Sequence, residues 1–123
     1  VRYARAGHSP VLYYDAGKQA LEYFKDRGVA LGMVRNKSYS NFIKSYEFKY
    51  EPGDMMVLYT DGITEAKDGK GEEFGYDRLL TTVKEVSSLS AKQVQDHLIS
   101  KLYEFSGTDN IDDDYTTMIV KFV

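Results

Sequence analysis

The sequence has 123 residues, of which 42% are hydrophobic and 28% charged, with a formal net charge of -3. This length fits one domain with one core, and the mildly acidic balance lacks the basic excess typical of nucleic-acid binding. The absence of cysteine excludes disulfides and thiolate chemistry, and no apolar run approaches the ~20 residues of a membrane-spanning helix. We therefore expect a cytoplasmic domain with no membrane segment.

The N-terminal part of the sequence is predicted to form short strands. Val1–Ala6 and Val11–Tyr14 are rich in β-branched and aromatic residues, and the turn residues Gly7–Pro10 lie between them. This pattern predicts a hairpin. A further short strand is predicted at Leu21–Phe24, followed by a loop at Gly28–Gly32.

Two strands are predicted in the middle of the chain. In Ser45–Tyr50 the aromatic residues alternate with charged ones, which is the pattern of a half-buried strand. After a turn at Glu51–Asp54, the run Met55–Tyr59 has no polar interruption. This uninterrupted run predicts a central strand covered on both faces, with Asp61 just beyond its carboxyl end.

The C-terminal half is predicted to contain a helix pair and a last strand. Tyr76–Val86 places its aliphatic residues on one helical face, and Ser90–Gln93 forms a capping box at the start of a second helix. A final strand is predicted from Tyr115 to Val123. Antiparallel strands with a helix pair make an α+β arrangement.

Acidic residues flank two of the predicted strands. Asp61 follows Met55–Tyr59, and Asp112–Asp114 precede the last strand. Taken alone, Asp61 is better explained as a turn aspartate bonding its own backbone, and the Asp run as a solvated loop. Together, adjacent strands would bring Asp61 and Asp113 to one edge, where paired carboxylates suit Mg²⁺ or Mn²⁺.

Other kinds of site have no support in the sequence. The acidic loops lack the ligand spacing of an EF-hand, and no glycine-rich phosphate loop follows a strand. His8 lies in a predicted turn and His97 on the polar face of the last helix, where we expect it to be exposed. Neither histidine supports a Ser/His/Asp triad.

Six short stretches match one family pattern in order and spacing. They are Ala6–Pro10, Leu31–Gly32, Pro52–Asp54, Leu58–Ala66, Phe74–Gly75 and Asp113–Thr116. Together they resemble the later half of the bacterial SpoIIE/RsbU-type serine/threonine phosphatases of the PPM superfamily. The resemblance covers nearly the whole chain.

The resemblance implies a fold, a metal site and an activity. The fold is part of a PPM-type β-sandwich flanked by helices. In the complete domain two Mn²⁺ or Mg²⁺ ions activate a water that attacks a phosphoserine or phosphothreonine, so no side chain acts as the nucleophile. Carried over to this sequence, Asp61 and Asp113 become metal ligands, and Asp114 and Thr116 orient ligands or waters. His8 belongs to a different motif and is not assigned as a catalytic acid.

The same resemblance implies that residues 1–123 are the C-terminal portion of a catalytic domain. The family's earlier Gly-Asp and Gly-His-Gly motifs do not occur in the sequence, which begins at Val1. We therefore expect the chain alone to be inactive and its exposed strand edges to favour self-association. In the longer parent protein we expect an upstream sensory or receiver domain and a phosphoprotein substrate, namely an anti-sigma-factor antagonist. The alternative is a non-catalytic phosphatase-like module that binds a partner in signalling.

Overall fold

The computed structural model describes residues 1–24, 26–34, 37–107 and 114–123. In chain order its elements are β1 (Arg2–Ala4), β2 (Leu12–Asp15), β3 (Ala20–Tyr23), a 3-10 helix (Lys37–Asn41), β4 (Ser45–Glu47), β5 (Met55–Tyr59), α1 (Asp61–Thr64), α2 (Gly75–Glu85), α3 (Ala91–Ser106) and β6 (Thr117–Lys121). Antiparallel strands and a helix pair confirm the predicted α+β class.

Two antiparallel sheets organise the fold. The larger has the order β3-β2-β5-β6, and the smaller pairs β1 with β4. Leu12 of β2 lies opposite Val57 of β5, and Tyr59 of β5 lies opposite Thr117 of β6. Because β5 has a neighbour on each side and buries both of its faces, its predicted role as a central strand is confirmed.

The predicted hairpin between Val1–Ala6 and Val11–Tyr14 is wrong. β1 pairs with β4, whereas β2 pairs with β3 and β5. The ring of Tyr3 on β1 stacks on Phe24, with 5.3 Å between ring centroids, so β1 packs across the larger sheet instead of extending it. Burial of these aromatic rings between two sheets decides the partner of β1, and the turn residues between β1 and β2 mark a change of sheet.

Side chains that alternate along the strands divide the interior into two clusters. The cluster between the larger sheet and the helices contains Leu12, Tyr14, Met55, Val57, Tyr59, Ile63, Ala66, Phe74, Leu79, Val83, Val94, Leu98 and Leu102. The cluster between the two sheets includes Tyr13 and Met56, and the Tyr13 ring meets the Phe48 ring edge-on at 5.1 Å. The chain therefore forms part of a β-sandwich with a helix pair on one outer face.

The helix pair lies where the sequence predicts, with α2 beginning and ending one residue earlier than the predicted Tyr76–Val86. Ser90 Oγ accepts a hydrogen bond from the Gln93 amide at 3.3 Å, and the Ser90 amide donates to Gln93 Oε1 at 3.1 Å, which confirms the capping box. Gly107 ends α3 with a left-handed φ of 66°. Within the described ranges, no helix has the length and apolar character needed to cross a membrane.

A buried carboxylate holds the turn before β5. Asp54 accepts hydrogen bonds from the Tyr13 hydroxyl at 2.5 Å, the Ala16 amide at 2.8 Å and the Glu51 amide at 2.9 Å. Burial by itself would raise the pKa of Asp54, but these three donors outweigh it and lower the pKa below its usual range. The Pro-Gly-Asp turn is thus fixed to β2 by an ionised aspartate.

Replacing Asp54 by Ala is expected to destabilise the protein by about 3 kcal/mol or more, because it leaves three donors without their acceptor. Since folding lowers the pKa of Asp54, its contribution is present above the unfolded-state pKa and is lost as the pH falls through the folded-state pKa. Urea unfolding at neutral and acidic pH measures both effects, with Glu22→Ala on an exposed strand position as the control. Equal stability of the two variants at neutral pH would contradict this role.

Candidate functional site

Asp61 is held at the carboxyl end of β5. The residues on either side anchor it, since Tyr59 is 2% exposed and Ile63 is fully buried, while Asp61 itself is exposed. The carboxylate of Asp61 accepts no hydrogen bond from any described residue, unlike that of a turn aspartate satisfying its own backbone. A carboxylate that is accessible and accepts no hydrogen bond from the described part of the chain is suited to binding a hard cation.

The start of β6 is tied to the residue that precedes Asp61. The Thr60 amide donates to the Thr116 carbonyl at 3.0 Å, and the Thr116 amide donates to Thr60 Oγ1 at 2.9 Å. These bonds extend the β5–β6 ladder by one residue beyond the Tyr59–Thr117 pair. Thr116 is thus fixed beside the Asp61 turn through its backbone.

The backbone of Asp114 lies against the turn that carries Asp61. A Cβ atom on Gly62 would collide with the carbonyl oxygen of Asp114, so the backbone there is packed directly against the glycine. Both Asp61 and Asp114 are exposed. The carboxyl end of β5 and the chain entering β6 therefore meet at one end of the sheet.

The predicted ligand Asp113 and its neighbour Asp112 lie outside the described residues. Among the residues that the structure does describe, no group of three or more acidic, histidine or cysteine side chains could hold a metal ion. At this end the structure describes the predicted ligand Asp61 and also Asp114, which is predicted to orient ligands or waters, and carboxylate oxygens are of the kind that Mg²⁺ and Mn²⁺ prefer. They fit a part of such a site.

Arg5 joins two loops at this end of the molecule. Its guanidinium donates to the His8 carbonyl at 3.1 Å and to the Asp26 carbonyl at 2.6 Å, and its Nε lies 3.3 Å from Asp26 Oδ2. The Asp26 side chain is only 1% exposed.

Burial raises the pKa of Tyr59 above its usual range, and the charge of Arg5 partly opposes this shift. Sequence reasoning missed the Arg5–Asp26 pair, because no local pattern links two residues so far apart in the chain.

The two histidines do not form a catalytic group. His8 is exposed in the turn after β1, and its Nδ1 lies 3.2 Å from the Ser9 carbonyl oxygen. His97 is half-buried, in contrast to the predicted exposure, and its Nε2 lies 3.0 Å from Glu85 Oε2. The reason is that α3 packs beside α2, so this face of α3 meets the neighbouring helix.

A protein-family model described as Stage II sporulation protein E (SpoIIE) matches residues 1–123. The chain belongs to the SpoIIE family. The phosphoserine phosphatase RsbU of Bacillus subtilis is 27% identical over 97% of the chain, and protein IcfG of Synechocystis is 36% identical over 73% of it. These findings confirm the predicted membership in the SpoIIE/RsbU-type family of serine/threonine phosphatases.

Solved structures confirm the fold. The SiaA-PP2C domain of Pseudomonas aeruginosa has a TM-score of 0.76 at 23% identity, and the PP2C phosphatase domain of SpoIIE from B. subtilis has a TM-score of 0.75 at 15% identity. The SpoIIE-family chain covers 47% and 33% of those two structures. It likewise spans only 34% of RsbU and 13% of IcfG.

Proposed function

We propose that residues 1–123 are the C-terminal portion of a catalytic domain that removes phosphate from phosphoserine or phosphothreonine of a bacterial regulatory protein. The observation that carries this proposal is the contact between Gly62 and the backbone of Asp114. It supports the proposal because the exposed Asp61 then lies close to the backbone of Asp114 at the entry to β6, and carboxylates at one end of a sheet suit a divalent cation.

In this proposal Asp61 and Asp113 are the metal ligands supplied by this chain. Mn²⁺ or Mg²⁺, when bound, lowers the pKa of a water molecule and offsets charge on the phosphoryl oxygens. The protein's part is to hold the ligand carboxylates still, and the Thr60–Thr116 bonds support this role by joining the end of β5 to the start of β6. Asp114 and Thr116 are proposed to orient the ligands or their waters.

The rest of the metal site is proposed to come from earlier strands of the parent protein. The chain spans 47% of the SiaA-PP2C domain, and within the described residues the smaller sheet consists of β1 and β4 alone. Both of its outer edges are therefore open for further strands or for self-association. As the substrate we propose a phosphorylated anti-sigma-factor antagonist, with a sensory or receiver domain upstream in the parent.

Phosphate release from a phosphoserine peptide tests this function, comparing the parent protein with the isolated 123-residue chain at millimolar Mn²⁺. We expect metal-dependent turnover by the parent and no appreciable turnover by the chain alone, because two aspartates leave the metal largely hydrated and weakly held. Robust turnover by the chain alone would contradict the proposed domain boundary. An inactive parent with intact upstream motifs would instead favour a non-catalytic partner-binding module.

A further inference from the structure

Three large apolar side chains are exposed in the segment between β3 and β4. Leu31 is 76% exposed, Met33 is 74% exposed and Phe42 is 48% exposed. Exposed apolar residues that occur together are characteristic of binding surfaces. Arg27 and Lys44, at the two ends of the same segment, are also exposed. We call these five side chains the 27–44 surface.

The backbone that carries the 27–44 surface is held in place at several points. The Tyr39 hydroxyl donates to the Val29 carbonyl at 2.8 Å, which ties the 3-10 helix to the loop after β3. A Cβ atom on Gly28 would collide with the Arg5 carbonyl, and one on Gly7 would lie 2.5 Å from the Ala30 Cβ. The loop is thus packed against the chain that follows β1, and its apolar side chains remain exposed on a fixed support.

The register of the strands places this surface at the same end of the sheet as Asp61. Leu12 at the start of β2 pairs with Tyr23 at the end of β3 and with Val57 in the middle of β5, so the chain leaves β3 at the end of the sheet toward which β5 runs. The chain leaving β3 therefore emerges at the same end of the sheet as the turn that carries Asp61.

The segment is strongly basic, although the whole chain carries a net charge of -3. Its basic residues are Lys25, Arg27, Arg35, Lys37 and Lys44. Its acidic residue is Asp26, whose buried side chain is paired with Arg5 and is not available to a partner. A partner that complements the exposed charges is acidic, and one that complements Leu31 and Met33 also has aliphatic side chains.

We propose that the 27–44 surface binds the part of the phosphoprotein substrate that flanks the phosphorylated serine, and that it selects acidic and aliphatic residues there. This inference rests on the proposed phosphatase function. A phosphorylated protein is favoured over a second copy of this chain because the surface lies at the same end of the sheet as the candidate metal ligand Asp61. Energy from contacts remote from the reacting group can then align the phosphoserine with the site.

The test uses the parent protein and three phosphoserine peptides of equal length, flanked by Glu and Leu, by Lys and Leu, or by Glu and Ser. We expect kcat/KM to be highest for the Glu/Leu peptide, by about tenfold over the Lys/Leu peptide at low salt, and to decline as salt screens the charges. The double variant Arg27→Glu/Lys44→Glu should reverse this order. The double variant Leu31→Ser/Met33→Ser should reduce the preference for the Glu/Leu peptide over the Glu/Ser peptide.

Controls separate this proposal from the proposed function. Lys49→Glu reverses an exposed charge beyond the opposite end of β4 and should leave the peptide preference unchanged. Hydrolysis of p-nitrophenyl phosphate, which has no flanking residues, should stay within about twofold in all variants because the metal ligands are intact. Binding of fluorescent phosphopeptides, followed by polarisation, reports docking even where turnover is absent.

Each outcome decides the proposal. Wild-type peptide preference in both double variants, with normal turnover, would overturn the docking role and leave the phosphatase function standing. A large fall in melting temperature of the double variants would also overturn it, because it would mean that the surface is covered inside the parent domain. Selective peptide binding without any metal-dependent turnover would support docking and contradict the phosphatase function.

Discussion

Replacing Asp61 by Ala in the parent protein is expected to reduce Mn²⁺-dependent dephosphorylation by at least about a hundredfold, since even residues that only orient metal ligands cost 10–100-fold when mutated. The fold should be nearly unaffected because the Asp61 side chain is exposed and accepts no hydrogen bond from a described residue. Phosphate release and the urea unfolding midpoint, measured on the same preparation, separate these two effects. Asp113→Ala should behave in the same way.

Asp68→Ala is the matched control for Asp61. Asp68 Oδ1 accepts the amides of Lys70 and Glu72, each at 2.8 Å, and these bonds lower the pKa of its carboxyl group. Asp68 is therefore a turn aspartate that bonds its own backbone, whereas the Asp61 carboxylate accepts no hydrogen bond from a described residue. We expect Asp68→Ala to retain turnover, and near wild-type turnover of Asp61→Ala would refute its role as a ligand.

The second large effect is expected for Gly62→Ala. The added methyl group would overlap the Asp114 carbonyl, so the chain entering β6 must move away from the Asp61 turn. Overpacking of this kind costs about 1–3 kcal/mol, and a misplacement of about 1 Å can cost about a hundredfold in rate. We expect a modest fall in stability together with a large fall in metal-dependent turnover.

Gly69→Ala controls for the general cost of replacing a glycine in this region. No atom lies within 4 Å of a Cβ built on Gly69, so the substitution adds a methyl group in open space. Turnover and unfolding of this variant should match those of the wild type. If Gly62→Ala also matched the wild type in turnover, the contact with Asp114 would have no part in holding the site.

The strands and helices with strong local patterns could be predicted from the sequence. The apolar run Met55–Tyr59 has no alternating polar face, which correctly indicated burial on both sides, and Ser90 with Gln93 correctly indicated the start of α3. The pairing of β1 could not be predicted locally. It depends on the contact between Tyr3 and Phe24, residues that meet only when two sheets pack together.

In the candidate site too, some features have a local sequence pattern and others depend on contacts between distant residues. Asp61 could be proposed as a ligand because it lies just beyond the end of an apolar strand, and the structure pairs that strand, β5, with β6. The close approach of Gly62 to Asp114 has no signature in the sequence, since a glycine after Asp61 is equally compatible with an ordinary turn. The position of Asp113 remains a prediction.

Calorimetric titration of Mn²⁺ into the parent protein is the most direct test of the proposed metal site. Asp61→Asn and Asp113→Asn should each weaken Mn²⁺ binding by about tenfold or more, because each removes a charged oxygen ligand while keeping the side-chain volume. Asp68→Asn should bind Mn²⁺ as the wild type does. Equal Mn²⁺ affinity in the wild type and all three variants would contradict the assignment of the metal site to the meeting point of β5 and β6.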